Sequence, residues 1–347
     1  MTSNGPAGPE ASERRPLKLV SCAGCGARVF IPADLAPLEF TPCTKCGHPL
    51  MVPLKMRQLE LRGPIASGGM GTVYRAFDEM LLREVAVKMM RRELLQDREA
   101  VESFQREARA CGALNHTNII HIYEFDQLNG QLYMVMELAD RGSLDSRIEK
   151  ETMLSELDIL DVGIKVAGAL DAALKKNLLH RDIKPGNILF NADREPKLVD
   201  FGLARAAQHD GVDESSLWAT PYYVAPEKVK REQETFLSDM YSLAGTLYHG
   251  LTGHVPFEAP TIEELVGAHI HTPLTPPNHV RTDITQPTSD ALWRAMAKNP
   301  AERFQSYDEF IMALTAARSQ VLVARFRPGT SGEAPSSGGI MRKLLGR

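Results

Sequence analysis

The stretch LLHRDIKPGNILF, residues 178–190, sets Asp182, Lys184 and Asn187 between apolar runs, and KLVDFG (197–202) and TPYYVAPE (220–227) follow it. These three stretches carry the strongest signal in the chain, and the rest of the sequence supplies their setting. At 347 residues and 43% apolar, the chain can form one large domain or two ordinary ones with a real core. Its net charge of −4 argues against a protein that coats nucleic acid, which would carry a basic excess or patch. The N-terminal stretch lacks the apolar run of a secretion signal, and no later run reaches the ~18 uncharged apolar residues that span a bilayer. A soluble, cytoplasmic protein is expected.

Upstream of residue 178 the pattern is strand-rich. It is short and extended with glycines from Gln58 to Val73, and EVAVKMM (84–90) and LYMVMEL (132–138) then read as buried strands. Between those two, REAVESFQREARACGALN (98–115) has the apolar spacing of a helix packed on the strands. After Gly142 the chain turns mainly helical, as in LDILDVGIKVAGALDAALKK (157–176) and SDMYSLAGTLYHGLTG (238–253). A small β-rich half followed by a larger α-rich half invites a cleft between them. Residues 1–16, rich in Gly, Pro, Ser and charge, read as disordered. Residues 319–347 read as a flexible tail, and its end, IMRKLLGR, is either frayed or a docking segment for a partner or an anionic surface.

In the three opening stretches the chain resembles a eukaryotic-type Ser/Thr protein kinase, in the version common in bacteria, over about Gln58 to Arg318. The resemblance implies an α+β, bilobal fold with a β-rich N-lobe over 57–139 and an α-helical C-lobe over 140–318. It also implies ATP- and Mg²⁺-dependent phosphoryl transfer to serine and threonine hydroxyls of protein substrates, the chain itself included. That chemistry places a hydroxyl in line with the γ-phosphate while several negative charges are held. By the family's pattern Asp182 accepts or orients the hydroxyl's proton, Lys184 reaches the transferred phosphate, and Asn187 and Asp200 hold Mg²⁺ through hard oxygens. Lys88, in VAVK, contacts the α- and β-phosphates and pairs with Glu107 of FQREAR, since a lysine in an apolar strand is costly to bury unless a carboxylate answers it. Taken alone, that segment also reads as an edge strand with Lys88 facing water.

GPIASGGMGTVY (63–74) is then the lid over the phosphates, with Gly68 and Gly71 allowing close backbone approach. Val73, Ala86 and Leu189 line the adenine site, Met136 guards its back, and the backbone of Glu137 and Ala139 bonds the adenine edge. One position departs from the pattern: Ala66 stands where the family has its first glycine. If φ > 0 is needed there, the methyl costs roughly 1 kcal/mol. DIKPGN favours serine and threonine over tyrosine substrates, and Thr220 is expected to bond Asp182 and Lys184. Glu227 is expected to pair with Arg303, and Asp239 to brace the backbone of the catalytic loop.

Arg181 marks kinases whose loop is ordered by a phosphate. Ser215 and Ser216 are the expected autophosphorylation sites, with Asp213 and Glu214 as the alternative source of charge. Cys111, one turn past Glu107, reads as a small buried apolar residue, with a redox sensor as the alternative. Two rival functions share the same letters. One is a pseudokinase scaffold, for which Ala66 alone speaks. The other is a small-molecule phosphotransferase, which TPYYVAPE disfavours.

Residues 17–56 hold a repeat, CAGCGARVFIP at 22–32 and CTKCGHPLMVP at 43–53. Seventeen residues separate Cys25 from Cys43, which is within the spacing of a four-cysteine zinc site formed by Cys22, Cys25, Cys43 and Cys46. Four thiolates fill the tetrahedron, so the Zn²⁺ is structural, and such a site folds a module with little core. Gly26 and Gly47 suit the tight turn after each second cysteine, and His48 is a bystander. From Leu17 to Arg57, five basic residues, two acidic ones and a zinc–thiolate centre leave about +1, a poor footprint for nucleic acid. Recognition of a protein, whether substrate, partner or the neighbouring lobe, is the expected role.

Overall fold

In the computed structural model, the described residues are 17–326 apart from 23, 33, 152, 202–204 and 207–220. Two antiparallel hairpins come first, β1 (Leu17–Ser21) with β2 (Arg28–Pro32), and β3 (Phe40–Pro42) with β4 (Pro49–Met51). Alternation along β2 turns Val29 and Ile31 inward, where they close over Cys22, Cys43, Leu50 and Val52.

A six-stranded antiparallel sheet follows, in the order β5 (Leu54–Met56), β6 (Leu59–Ser67), β7 (Gly71–Asp78), β8 (Arg83–Met90), β10 (Gln131–Met136) and β9 (Ile122–Leu128). The runs expected as buried strands at 84–90 and 132–138 are β8 and β10. A sequence division after residue 56 assigns β5 to the cysteine module, yet β5 is the edge strand of this sheet, with Leu54 opposite Leu61 and Met56 opposite Leu59. The reason is burial. Met51 and Met56 belong to one apolar cluster with Leu59, Leu61 and Val85, and Leu38 and Leu54 pack against it, so the hairpins and the sheet share an interior.

Helix α1 (Arg98–Gly112) covers the sheet. Its first turn is capped by Asp97, whose carboxylate accepts from the amides of Glu99 at 3.0 Å and Ala100 at 3.2 Å. Phe104 and Ala108 on its inner face pack with Met90, Leu132 and Met134.

The second half is helical: α2 (Leu144–Glu151), α3 (Glu156–Leu174), α4 (Pro226–Val229), α5 (Phe236–Thr252), α6 (Ile262–His271), α7 (Pro277–Val280), α8 (Gln286–Ala295) and α9 (Tyr307–Phe326). Between α3 and α4 run short strands, β11 (Leu178–Leu179) pairing with β14 (Arg205–Ala206), and β12 (Ile188–Phe190) with β13 (Pro196–Leu198). Residues 319–326, expected as the start of a flexible tail, are instead the last turns of α9, which continues to Phe326. Phe310, Leu314, Ala317 and Val321 recur at helical spacing and are all buried in the large core, which holds the last turns down.

Glu227 and Arg303 make the buried pair expected from the sequence. Arg303 Nη1 and Nη2 donate to the two Glu227 oxygens at 2.7 and 2.8 Å, and Ser238 Oγ donates to Glu227 Oε1 at 2.7 Å. Burial works against the charged Glu227, but Arg303 and Ser238 outweigh it and hold the carboxyl below its ordinary range. Arg303→Met is expected to cost ~3–5 kcal/mol in urea unfolding, because the carboxylate is then buried alone. With its folded pKa lowered, Glu227 stabilises fully above its unfolded pKa of about 4.3, and that contribution is lost as pH falls through the folded value. The stability gap between wild type and Glu227→Gln should therefore be flat above about pH 5 and shrink at lower pH.

Candidate active site

The cleft between sheet and helices begins with Lys88, which β8 places opposite Val73 on one side and Met134 on the other. Its Nζ donates to Glu107 Oε1 at 2.6 Å and Oε2 at 2.8 Å and lies 3.6 Å from Asp200 Oδ1. Burial works against the ammonium, but Glu107 and Asp200 outweigh it and hold Lys88 above its usual range. The edge-strand alternative, with Lys88 facing water, does not hold: the lysine side chain is 14% exposed.

The loop expected to be catalytic, residues 180–187, lies opposite. Lys184 Nζ donates to Asp182 Oδ2 at 2.7 Å, and Asn187 Nδ2 donates to the Asp182 carbonyl at 2.8 Å and to Oδ2 at 3.0 Å. With its amide nitrogen engaged, Asn187 has its side-chain oxygen to offer a cation. Asp200 supplies the second carboxylate, half exposed and at φ +69°, a left-handed conformation rare outside glycine. Phe201 anchors it, fully buried with its ring centroid 4.6 Å from that of His180. The Asp182 amide donates to His180 Nδ1 at 3.3 Å, so the ring proton sits on Nε2 and donates to the Val199 carbonyl at 2.9 Å.

Ala66, Gly68, Gly71, Val73, Ala86, Met136, Glu137, Ala139 and Leu189 line the same cleft, about 470 Å³ in volume, together with Lys88, Glu107, Asp182, Asn187 and Asp200. Three details differ from expectation. Ala66 is absent from the positive-φ residues and pairs with Val73 just after a register shift in the β6–β7 ladder, so the penalty tied to φ > 0 does not arise. At Gly71, a Cβ would sit 2.3 Å from the Met89 carbonyl oxygen, so close sheet packing alone demands that glycine. Glu137 spends its amide on the His121 carbonyl at 2.8 Å, so its own carbonyl is what it can offer a ligand.

Sequence reasoning missed Lys197 of β13, whose Nζ meets the carboxylate of Glu137, the residue after β10, at 2.6 Å. The two residues are far apart in the chain, and no spacing rule joins them. Cys111 is buried, and burial followed by the Glu107 charge pushes its thiol up to about 12, as suits an inert core residue.

The four other cysteines converge, with all Sγ atoms within 4.8 Å of one another. Cys22 Sγ and Cys46 Sγ are 3.6 Å apart, and Cys25 Sγ and Cys43 Sγ 4.0 Å. Sulfurs at tetrahedral corners about 2.3 Å from a zinc ion stand about 3.8 Å apart, so the set fits Zn²⁺. Gly26 at φ +69° and Gly47 at φ +73° shape the two turns, and their amides donate to the Cys22 and Cys43 carbonyls at 2.8 and 2.9 Å. His48 is exposed and packs where a Gly24 side chain would go, outside the ligand set. Among the regulatory expectations, Arg181 is described, while Ser215, Ser216 and Thr220 lie outside the described residues.

The protein kinase domain family matches residues 59–313. Similar proteins include the serine/threonine-protein kinase PknD of Mycobacterium tuberculosis, 36% identical over 251 residues, covering 72% of this chain and 38% of that protein. Serine/threonine-protein kinase PknE of Mycobacterium bovis is 35% identical over 258 residues, covering 74% of this chain and 45% of that protein. PknH of the same organism is 33% identical over 260 residues, covering 75% and 44%. The chain thus spans less than half the length of these curated relatives. If the Ala66 methyl is harmless, Ala66→Gly should leave the Kd for Mg·ATP within about twofold, roughly 0.4 kcal/mol, by equilibrium titration. A tenfold gain would show that the methyl obstructs the phosphates.

Proposed function

This chain belongs to the protein kinase domain family, and we propose that it is an ATP- and Mg²⁺-dependent protein kinase that transfers the γ-phosphate to serine and threonine hydroxyls of proteins, its own chain included. The observation that carries this reading is Lys88, held by Glu107 at 2.6 Å and facing Asp200 at 3.6 Å in the cleft that also holds Asp182 and Asn187. Burying that ammonium is costly, and a surface that only docks partners has no use for it.

In this reading Lys88 draws the α- and β-phosphates into the cleft. Mg²⁺ held by Asn187 and Asp200 would neutralise charge on the phosphates. Asp182 orients the acceptor hydroxyl and takes its proton as oxygen bonds to phosphorus and ADP leaves. Lys184 meets the transferred phosphate in this reading, which its 2.7 Å bond to Asp182 supports. Labelled γ-phosphate transfer from Mg·ATP to the protein itself and to a generic basic protein tests this, with Asp182→Asn expected to lose a factor of roughly 10² to 10⁴. Equal signals from wild type and variant would favour a scaffold.

The cysteine module is proposed to hold structural Zn²⁺ and to act on the neighbouring lobe, with protein targeting as its second role. What supports this is the shared cluster of Met51 and Met56 with Leu59 and Leu61, because β6 carries both that cluster and the start of the phosphate lid. None of the described cysteines is in a disulfide, in keeping with the proposed cytoplasmic setting, and no described helix is long and apolar enough to cross a membrane. One zinc per chain is expected by metal analysis. Cys22→Ser with Cys43→Ser should abolish it, lower the thermal midpoint and weaken Mg·ATP binding. Unchanged nucleotide affinity in the metal-free variant would mean that the module acts elsewhere.

A further inference from the structure

Behind the catalytic loop, outside the lining of the cleft, four ionisable side chains are packed together: Arg181, Lys228, Glu234 and Asp239. The side chains of Arg181, Lys228 and Glu234 are 9, 9 and 11% exposed, and Asp239 is buried. Glu234 Oε1 lies 3.9 Å from Arg181 Nε, and its Oε2 lies 4.0 Å from Lys228 Nζ. Lys228 Nζ donates to the Arg181 carbonyl at 3.0 Å. The two Asp239 oxygens accept from the amides of His180 and Arg181 at 2.8 Å each.

These bonds converge on the peptide that joins Arg181 to Asp182. Lys228 holds its carbonyl, and His180 Nδ1 accepts from its amide at 3.3 Å. Arg181 has φ +69°, a conformation that a non-glycine residue keeps only where its surroundings over-determine it. Lys228 in turn is fixed from the far side, because it sits in α4 beside Glu227, whose pair with Arg303 anchors that helix. Among the described residues the two cations and two carboxylates of this cluster balance in charge, with Glu234 meeting Arg181 Nε as a charge contact and not as a hydrogen bond. Burial raises the Glu234 carboxyl above its ordinary range, and Lys228 and Arg181 oppose that rise.

We infer that Lys228 and Glu234 are positioning residues for the catalytic loop: Lys228 holds the Arg181–Asp182 peptide, and Glu234 is the resident counter-ion of Arg181 and Lys228, so that the loop is held without a phosphate on Ser215 or Ser216. The inference rests on the phosphotransfer reading for its effect on rate. It revises the expectation that Arg181 waits for a phosphate, and it leaves transfer to Ser215 or Ser216 free to serve another purpose.

The test compares the full wild-type chain with Glu234→Gln, an isosteric change, and with the double variant Lys228→Met/Glu234→Gln, which removes both charges together. Each is measured before and after treatment with a protein phosphatase, with thermal melting to verify folding. Amide hydrogen exchange of the segment 178–190 should quicken in both variants relative to the rest of the C-lobe. With Mg·ATP and a generic basic protein, kcat should fall roughly 10- to 100-fold while the KM for ATP stays within about twofold, the signature of a misplaced base. Phosphatase treatment should leave wild-type kcat unchanged and lower that of Glu234→Gln further. Unaltered exchange at 178–190 in folded variants, or loss of wild-type activity on dephosphorylation, would overturn the inference. A wild-type chain that transfers no phosphate overturns the kinase reading instead, and the exchange comparison then still decides the positioning.

Discussion

Lys88 lies on a strand whose neighbours Val85, Ala86, Val87 and Met89 are buried, so its ammonium needs a carboxylate within reach. Glu107 is within reach only because α1 is docked, with its first turn capped by Asp97 and with Phe104 and Ala108 in the sheet's core. Lifting α1 off the sheet would strand two buried charges at a cost of several kcal/mol. The contact that stabilises the β-rich half is therefore also the one that assembles the Lys88 end of the cleft. Asp200, on the other wall, adds its charge to the same ammonium and couples the halves.

The helical half solves a related problem with backbone groups. A loop that presents Asp182, Lys184 and Asn187 to a ligand cannot also satisfy its amides with a regular ladder. Asp239, from the core helix α5, takes two of those amides, and His180 takes a third while donating to Val199. The Glu227–Arg303 pair anchors α4, and Lys228 of that helix bonds the loop's Arg181 carbonyl. The loop's shape is thus fixed by groups that never touch a substrate.

The cysteine module follows the same economy of burial. Two short hairpins cannot enclose enough apolar surface to stand alone, and four converging thiols compensate when a metal joins them. The module also leans on the sheet through Leu38, Met51 and Leu54. Its last strand is the sheet's first, which makes it an extension of the lobe and not a bead on a linker.

Much of this was legible in the letters. Period and composition located β8, β10 and α1, and the cysteine spacing located the thiol cluster, because each depends on residues near one another in the chain. The kinase-like motifs singled out Lys88, Glu107, Asp182, Asn187 and Asp200, which the fold brings to one cleft. Other features had no local signal. The membership of β5, the reach of α9 to Phe326, the harmless φ of Ala66 and the Lys197 and Glu234 partnerships all depend on what lies across the fold. The sequence by itself determined the chemistry and the order of the elements, because side-chain type and periodicity are local properties. Only the tertiary structure decided which charges answer one another and where one module ends, because burial and electrostatic pairing act between residues the chain keeps far apart.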